Sequence, residues 1–514
     1  MENTRTRNSM LIMATSGLRQ IVSLIFAFVS RTIFIHILGA EYLGLNGLFS
    51  NILSILSLSE LGIGTAISFY LYKPVADQDL ERIKSLMQFY KICYRVVGLT
   101  IIGIGLLLMP FLRYMVNFEQ DIPINLHIVF LLNILNFAMS YLFFAYKQAL
   151  VGANQKQYKI EKINIFFVIV NCLADIIILI VFRSYMVYLV TKIVVTLVKN
   201  IVTAYRIDCE FPFLKEKDYE PIQRGEIKSI FKDIWQISIF RIGSVLFDAT
   251  DNIIISMLMG TLVVGYYSNY LMIISQVKFV VNLVIRSFGA GIGNVVAREC
   301  KEKQYKVFLE LDFVVSFMST ICTVCLFQLL NSFVMLWIGD VNENYVLSQY
   351  VVGFLCICFY IETTTQIANA FREASGNFET GKSLQLIGGI VNILLSVIWG
   401  KEWGLEGIFC ATVVSKFSIT LIPFLMGVSR NVFGKGSFGL LKNYMCNVLV
   451  LMIDIVVLWG LAFKLHMTTI RGFVLEIILS VFISVVVTTL IDFKRTEMKL
   501  LLKRVSGICA RRRL

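Results

Sequence analysis

Long apolar runs follow one another along almost the whole chain. Read in order they cover 9–37, 42–72, 85–112, 124–147, 160–182, 185–205, 230–259, 264–295, 307–337, 345–371, 380–400, 405–428, 441–463 and 471–492, which makes 14. Each exceeds the ~17–20 residues a helix needs to cross a bilayer. Several are long enough to tilt or to protrude. Short segments of alternating polarity, the mark of a membrane β-barrel, are missing from this pattern. The predicted fold class is an all-α polytopic membrane protein with about 14 transmembrane helices. The weakest break is Arg183-Ser184-Tyr185, which alone divides two apolar stretches.

Polar positions inside these runs fall on faces. At 100° per residue, Arg19, Gln20, Ser23, Ser30 and Arg31 of SGLRQIVSLIFAFVSRTIF (16–34) share an arc of about 120°. In 230–259, Arg241, Ser244, Asp248, Asp251 and Asn252 share a face, and the next run aligns Ser275, Lys278, Asn282, Arg286 and Gly289. A guanidinium stays charged in a protein, and at mid-membrane it costs about 2.5–3.5 kcal/mol. Ten basic residues lie inside predicted spans: Arg19, Arg31, Lys91, Arg95, Lys192, Lys199, Arg241, Lys278, Arg286 and Lys416. Snorkelling accounts for those near span ends. Arg19, Arg31, Arg95, Arg241, Lys278 and Arg286 are the expected cationic lining of a hydrated cavity, where guanidinium forks suit a phosphate or diphosphate. Asp175, Asp248, Asp251, Glu60 and Glu362 are candidates for binding a coupling H⁺ or Na⁺. Asp248 and Asp251 are one turn apart and could share a proton, and Asp248 could instead neutralise Arg241. For Ser and Asn, hydrogen-bonded helix packing is the plainer expectation.

The chain echoes itself. LGAEYLG, with Gly39 and Gly44, recurs as MGTLVVG, with Gly260 and Gly265, 221 residues on, and Val170-Asn171 recurs as Val391-Asn392 at the same offset. GAN at 152–154 is echoed by SGN at 375–377, and Arg19 maps within one residue of Arg241. The offset spans six helices, so both halves keep one orientation, as in parallel-repeat transporters. The expected organisation is an N-terminal six-helix bundle (1–206), a cytoplasmic linker (207–228), a second bundle (229–428), an extra helix pair (429–492) and a basic tail (493–514).

Charge orients the chain. With both termini inside, the inner segments hold 32 Lys and Arg and the outer loops 5, an alternation that a missed span would scramble. Net charge is +13, and this topology accounts for it without nucleic acid. Composition agrees: 57% hydrophobic and 16% charged residues, where a soluble protein carries about 25% charged. The 11 Cys are scattered and the three His (His36, His127, His466) far apart, so neither a metal centre nor a cofactor is expected. No cleavable signal peptide is evident, so the first helix is expected to remain as an anchor.

SRTIFIHILGAEYLGLNGLFSNILSILSLSELGIGTAI (30–67) resembles the N-terminal hairpin of bacterial polysaccharide repeat-unit (Wzx-type) flippases. These belong to the multidrug, oligosaccharidyl-lipid and polysaccharide exporter superfamily. ALVGANQKQYKIEKIN (149–164) resembles their loop after the fourth helix, and the likeness extends over most of the chain. The resemblance implies a non-enzyme of the bacterial cytoplasmic membrane. It would move undecaprenyl-diphosphate-linked oligosaccharide from the inner to the outer leaflet by alternating access, in capsule, O-antigen or exopolysaccharide assembly. Its partners would be that lipid-linked sugar, the bilayer, H⁺ or Na⁺ and polysaccharide polymerase machinery. On the same resemblance Arg19, Arg31 and Arg241 match the family's diphosphate-binding cations, with Lys278 and Arg286 as further choices. The alternatives are a peptidoglycan-precursor or teichoic/teichuronic-acid exporter, a multidrug/cation antiporter, and a membrane polymerase or glycosyltransferase. The antiporter would favour carboxylates in its cavity. The enzyme would need a chemistry-bearing outer loop, and the outer loops here are short.

Overall fold

The computed structural model describes residues 2–57, 63–118, 124–142, 146–154, 156–216, 221–341, 345–377, 379–462, 469–493, 495 and 497–498. Among these, the secondary structure is helical. The helices are α1 (Glu2–Leu38), α2 (Ala40–Leu56), α3 (Ile63–Asp77), α4 (Leu80–Leu108), α5 (Leu112–Met115), α6 (Leu126–Leu142), α7 (Lys147–Ala153), α8 (Gln157–Phe182) and α9 (Tyr185–Glu210). They continue with α10 (Arg224–Met259), α11 (Thr261–Arg298), α12 (Lys301–Ile338), α13 (Gln349–Thr364), α14 (Gln366–Ala374), α15 (Lys382–Val414), α16 (Ile422–Asn431), α17 (Gly439–Ala462) and α18 (Ile470–Asp492). A π-helical stretch, Ser415–Leu421, links α15 to α16.

Ten helices among the described residues are long and apolar enough to cross a membrane, or 11 if the bent pair α6–α7 is one span. Part of the difference from the expected 14 has visible causes. The predicted spans 380–400 and 405–428 lie within the stretch Ser383–Asn431, which counts once among the ten; the chain turns back at Gly404 (φ 63°, ψ −135°), so that Ser396 Oγ comes within 3.5 Å of the Ile408 carbonyl oxygen. The predicted span 42–72 falls on α2 and α3, with residues 58–62 between them outside the described set. Helices suit this setting because a spanning segment must satisfy its backbone internally.

The helix ends repeat with one register. α1 ends at Leu38 and α10 at Met259; α2 begins at Ala40 and α11 at Thr261; α4 begins at Leu80 and α12 at Lys301; α7 ends at Ala153 and α14 at Ala374; α9 ends at Glu210 and α16 at Asn431. Every one of these pairs is 221 residues apart. The connecting backbone repeats too. Gly39 has φ 90° and ψ 176°, and Gly260 has φ 92° and ψ 164°, a region that residues with a Cβ rarely enter. Arg183 (φ 48°) and Gly404 (φ 63°) are likewise related by this register.

The chain forms two compact units, Met1–Gly265 and Tyr266–Leu514. In the first, α1 packs on α8, α8 on α9, α6 on α4 and α9, and α10 on α2 and α3. The starts of α2 and α11 meet there in a reciprocal contact. A Cβ on Gly44 would lie 1.8 Å from the Thr261 carbonyl oxygen, and one on Gly265 would lie 2.1 Å from that of Ala40. The 221-residue register exchanges Gly44 with Gly265 and Ala40 with Thr261, so the two halves of the contact are related as by a local two-fold axis. In the second unit α12 is central, packed by α13, α14, α17 and α18. There α11 is tied in by polar bonds: Tyr270 Oη donates to Asn331 Oδ1 (2.6 Å) and accepts from the Leu347 amide (3.0 Å).

Candidate functional site

The polar arc of α1 faces α8 and α9. Arg19 Nε lies 2.6 Å from Glu161 Oε2 at the start of α8, and the Glu161 side chain is buried. Lys199 of α9 interacts electrostatically with both. About three turns further along α1, Ser30 Oγ donates to Asp175 Oδ2 (2.7 Å). Lys192 Nζ of α9 reaches the same oxygen at 2.7 Å. Lys192 also stands 5.2 Å over the Tyr188 ring, and Arg31 interacts electrostatically with Tyr188. Phe34, Tyr185 and Tyr188 pack edge-to-face and stacked around this point. The geometry is an aromatic-walled polar seam inside the first unit. Four cations, Arg19, Arg31, Lys192 and Lys199, meet two carboxylates, Glu161 and Asp175.

The second unit holds a triad. Lys278 of α11 and Lys416 each donate to a different oxygen of Glu362 on α13. Lys416 sits in the π-helical stretch, where the widened turn re-aims side chains; such stretches concentrate at functional sites. Two cations on one carboxylate leave this cluster positive as well. Each Glu362 oxygen has its own ammonium, the arrangement in which a desolvated charge is tolerated.

These clusters correct two expectations. Snorkelling does not describe Lys192 and Lys416, which reach carboxylates on neighbouring helices. Nor do Arg19 and Arg241 occupy repeat-equivalent places: at the 221-residue register Arg19 pairs with Phe240 and Arg241 with Gln20, about 100° away around the axis. The charged chemistry as a whole escapes the duplication. Arg31 corresponds to Asn252, Asp175 to Ser396, Lys278 to Ser57 and Glu362 to Tyr141.

Other candidates separate. Arg95 and Arg286 are exposed on α4 and α11, with no ion pair among the described residues. Asp251 is buried on α10 beside Asn252. The side chains of Arg241 and Asp248, and Glu60 altogether, lie outside the described residues. Sequence reasoning missed Glu161, Tyr188 and the pairings of Lys192 and Lys416; the signal available for Glu161 was its place inside a predicted span. It also missed a cavity of about 450 Å³ between the start of α8 and the end of α9, lined by Lys156, Lys159, Lys162, Arg206 and Glu210. There Lys156 and Lys159 both pair with Glu210 (2.6 and 2.5 Å).

Comparison with solved structures gives this architecture a family of folds. The lipid II flippase MurJ in an inward closed conformation is similar with a TM-score of 0.65, at 15% identity, over 94% of this chain and 99% of that one. An inward-facing multidrug resistance MATE family transporter of the MOP superfamily is similar with a TM-score of 0.64, at 15% identity, over 80% and 98%. The chain has the fold of MOP superfamily transporters. A third MOP superfamily transporter, from Pyrococcus furiosus Vc1, is similar with a TM-score of 0.53, at 14% identity, over 83% of this chain and 95% of that one. For that protein the reverse polarity of the binding pocket suggests a different function. No family model matches the sequence, and no curated protein matches it.

Proposed function

We propose that the chain is a flippase that carries undecaprenyl-diphosphate-linked oligosaccharide repeat units from the inner to the outer leaflet of the bacterial cytoplasmic membrane, by alternating access. The observation that carries this reading is the sign of the charge inside the membrane helices. The α1–α8–α9 seam holds more cations than carboxylates, and the Glu362 triad does too. An excess of fixed positive charge in a low-dielectric setting attracts an anion and repels a cation, which sets the reading apart from a cation exporter. A diphosphate crossing hydrocarbon unaided would meet a prohibitive desolvation cost. Distributed cations lower that cost while leaving release possible. Arg19 and Arg31 are the diphosphate contacts in this reading, and Ser30 and the Tyr185–Tyr188 wall offer hydroxyls and a ring face to sugar. The polyprenyl tail stays in lipid beside the helices. The reading involves no catalytic step.

A second substrate of the same chemistry, a peptidoglycan precursor, is favoured by the similarity to the lipid II flippase over 94% of the chain. One experiment separates the two: the chain is expressed in a strain lacking its repeat-unit flippase, and in another depleted of its lipid II flippase. Restored surface polysaccharide in the first supports the repeat unit; rescued growth in the second alone supports the precursor. In whichever strain responds, Arg31→Ala should abolish rescue at normal protein level and Arg31→Lys should retain part of it, since Lys keeps the charge and loses the fork. Full rescue by Arg31→Ala and Arg19→Ala would overturn the anion reading.

A further inference from the structure

The last helix pair lies outside the internal repeat and carries a polar seam of its own. α18 buries one row at four-residue spacing: Glu476, Ser480, Ser484, Thr488 and Asp492, each at most 4% exposed. Its other faces are apolar and exposed, as Val474, Ile478, Phe482 and Leu490 show. A helix that turns lipid-like residues outward and a continuous polar row inward is shaped by what the row meets. From Glu476 to Asp492 the row rises about 24 Å, most of the ~30 Å hydrocarbon thickness.

The row meets α12 and α17. At one end Gln328 Nε2 donates to Glu476 Oε1 (3.2 Å). In the middle Ser484 Oγ donates to Oδ2 of Asp454 on α17 (2.5 Å), and the Thr488 hydroxyl, shared with the Ser484 carbonyl (2.7 Å), lies 3.1 Å from the same oxygen. At the other end Asn443 donates to Asp312 (3.1 Å), Asn447 to Ser316 (3.1 Å), and Arg495 reaches Asp492 (2.9 Å) and Asn447 (2.6 Å). So the cytoplasmic end holds its own cation.

The middle does not. Asp454 is 0% exposed, and its Oδ1, like Oε2 of Glu476, is buried with no hydrogen-bond partner. Among the described residues the groups facing Asp454 are the two hydroxyls of α18 and Cys325 of α12. α16, which also packs on α17, brings only Arg430, and that side chain is exposed. A carboxylate sealed from water and cations carries a penalty that binding one proton removes. Two hydroxyls on Oδ2 and nothing on Oδ1 fit a carboxyl whose Oδ1 holds that proton. A sodium ion would need several more oxygens than this site provides.

We propose that Asp454 is a proton-binding group at the midpoint of a transmembrane proton path along the α12–α17–α18 seam, with Glu476 as its outer and Asp312 and Asp492 as its inner stations. The path is separate from the cationic seam of the first unit, and it stands whichever substrate that unit carries.

The test is infrared titration of the full-length protein in liposomes, with Asp454→Asn as the reference for difference spectra. The expected result is a protonated-carboxyl band belonging to Asp454 that disappears reversibly as pH rises, shifts in D₂O within minutes and ignores sodium. In Ser484→Ala the midpoint should move up by about one pH unit, because a donor to the charged form is lost. An imposed pH gradient should drive at least tenfold less proton flux through Asp454→Asn than through the parent, with Asp454→Glu recovering part. Three results would overturn the proposal: no such band at acid pH, a band unchanged over the whole range in which the protein stays folded, or a band displaced by sodium at fixed pH. If Asp454→Asn fails to fold, the Ser484→Ala midpoint decides: an unmoved midpoint assigns the band to another carboxyl and rejects the site.

Discussion

Gly44→Ala and Gly265→Ala test the reciprocal contact between the starts of α2 and α11. A Cβ at Gly44 would stand 1.8 Å from the Thr261 carbonyl oxygen, where real Cβ atoms keep at least 3.0 Å, so the two backbones must part by about 1.2 Å. At Gly265 the distance is 2.1 Å and the required movement about 0.9 Å. The obstacle is backbone in both cases, so no rotamer change relieves it. Overpacking of a close contact costs about 1–3 kcal/mol, and a carbonyl obstacle puts each variant near 3 kcal/mol. The Thr261 amide, which donates to the Asn117 carbonyl (2.9 Å), is tied to the same place and is strained by the movement. One separation accommodates both new methyl groups, so the double variant should cost clearly less than the sum, with a coupling of about 1–2 kcal/mol. The assay is the midpoint of thermal denaturation in detergent, with a drop of about 6 °C expected for each single variant at ~2 °C per kcal/mol. Gly17→Ala is the control, since nothing lies within 4 Å of its added Cβ and Ala is the better helix former. Single variants within about 1 °C of the parent, or a double variant equal to the sum, would refute the reasoning.

Glu362→Gln removes the charge from the triad and leaves Lys278 and Lys416 facing one another. It should cost about 3 kcal/mol, the lower end for breaking a buried pair, because the Lys278 side chain is 33% exposed. Lys416→Met in the same chain should recover part of the thermal midpoint, and no recovery would show that the loss is not electrostatic. Asp175→Asn should lower the thermal midpoint by several degrees, since it removes the charge that Ser30 and Lys192 share. An unchanged midpoint would show that Lys192 reaches water instead.

Much of the molecule is written in local sequence. The 14 apolar runs specify helices because a backbone in lipid has no other way to satisfy its polar groups. The repeat was legible from Gly39, Gly44, Gly260 and Gly265 because backbone geometry there, a positive φ at two of them and a close approach at the other two, admits no side chain. The polar face of α1 was legible too, since helical periodicity assigns a residue to a side. What lies opposite that side was not. Glu161 and Lys199 are 142 and 180 positions from Arg19 along the chain, and only packing of α1 against α8 and α9 brings them near it. Tertiary structure likewise decided that Lys416 meets Glu362 through a π-helical turn. The row from Glu476 to Asp492 was present in the sequence as a four-residue period. Its significance came from Asp454, which meets no cation among the described residues, a property of three packed helices and of no single one.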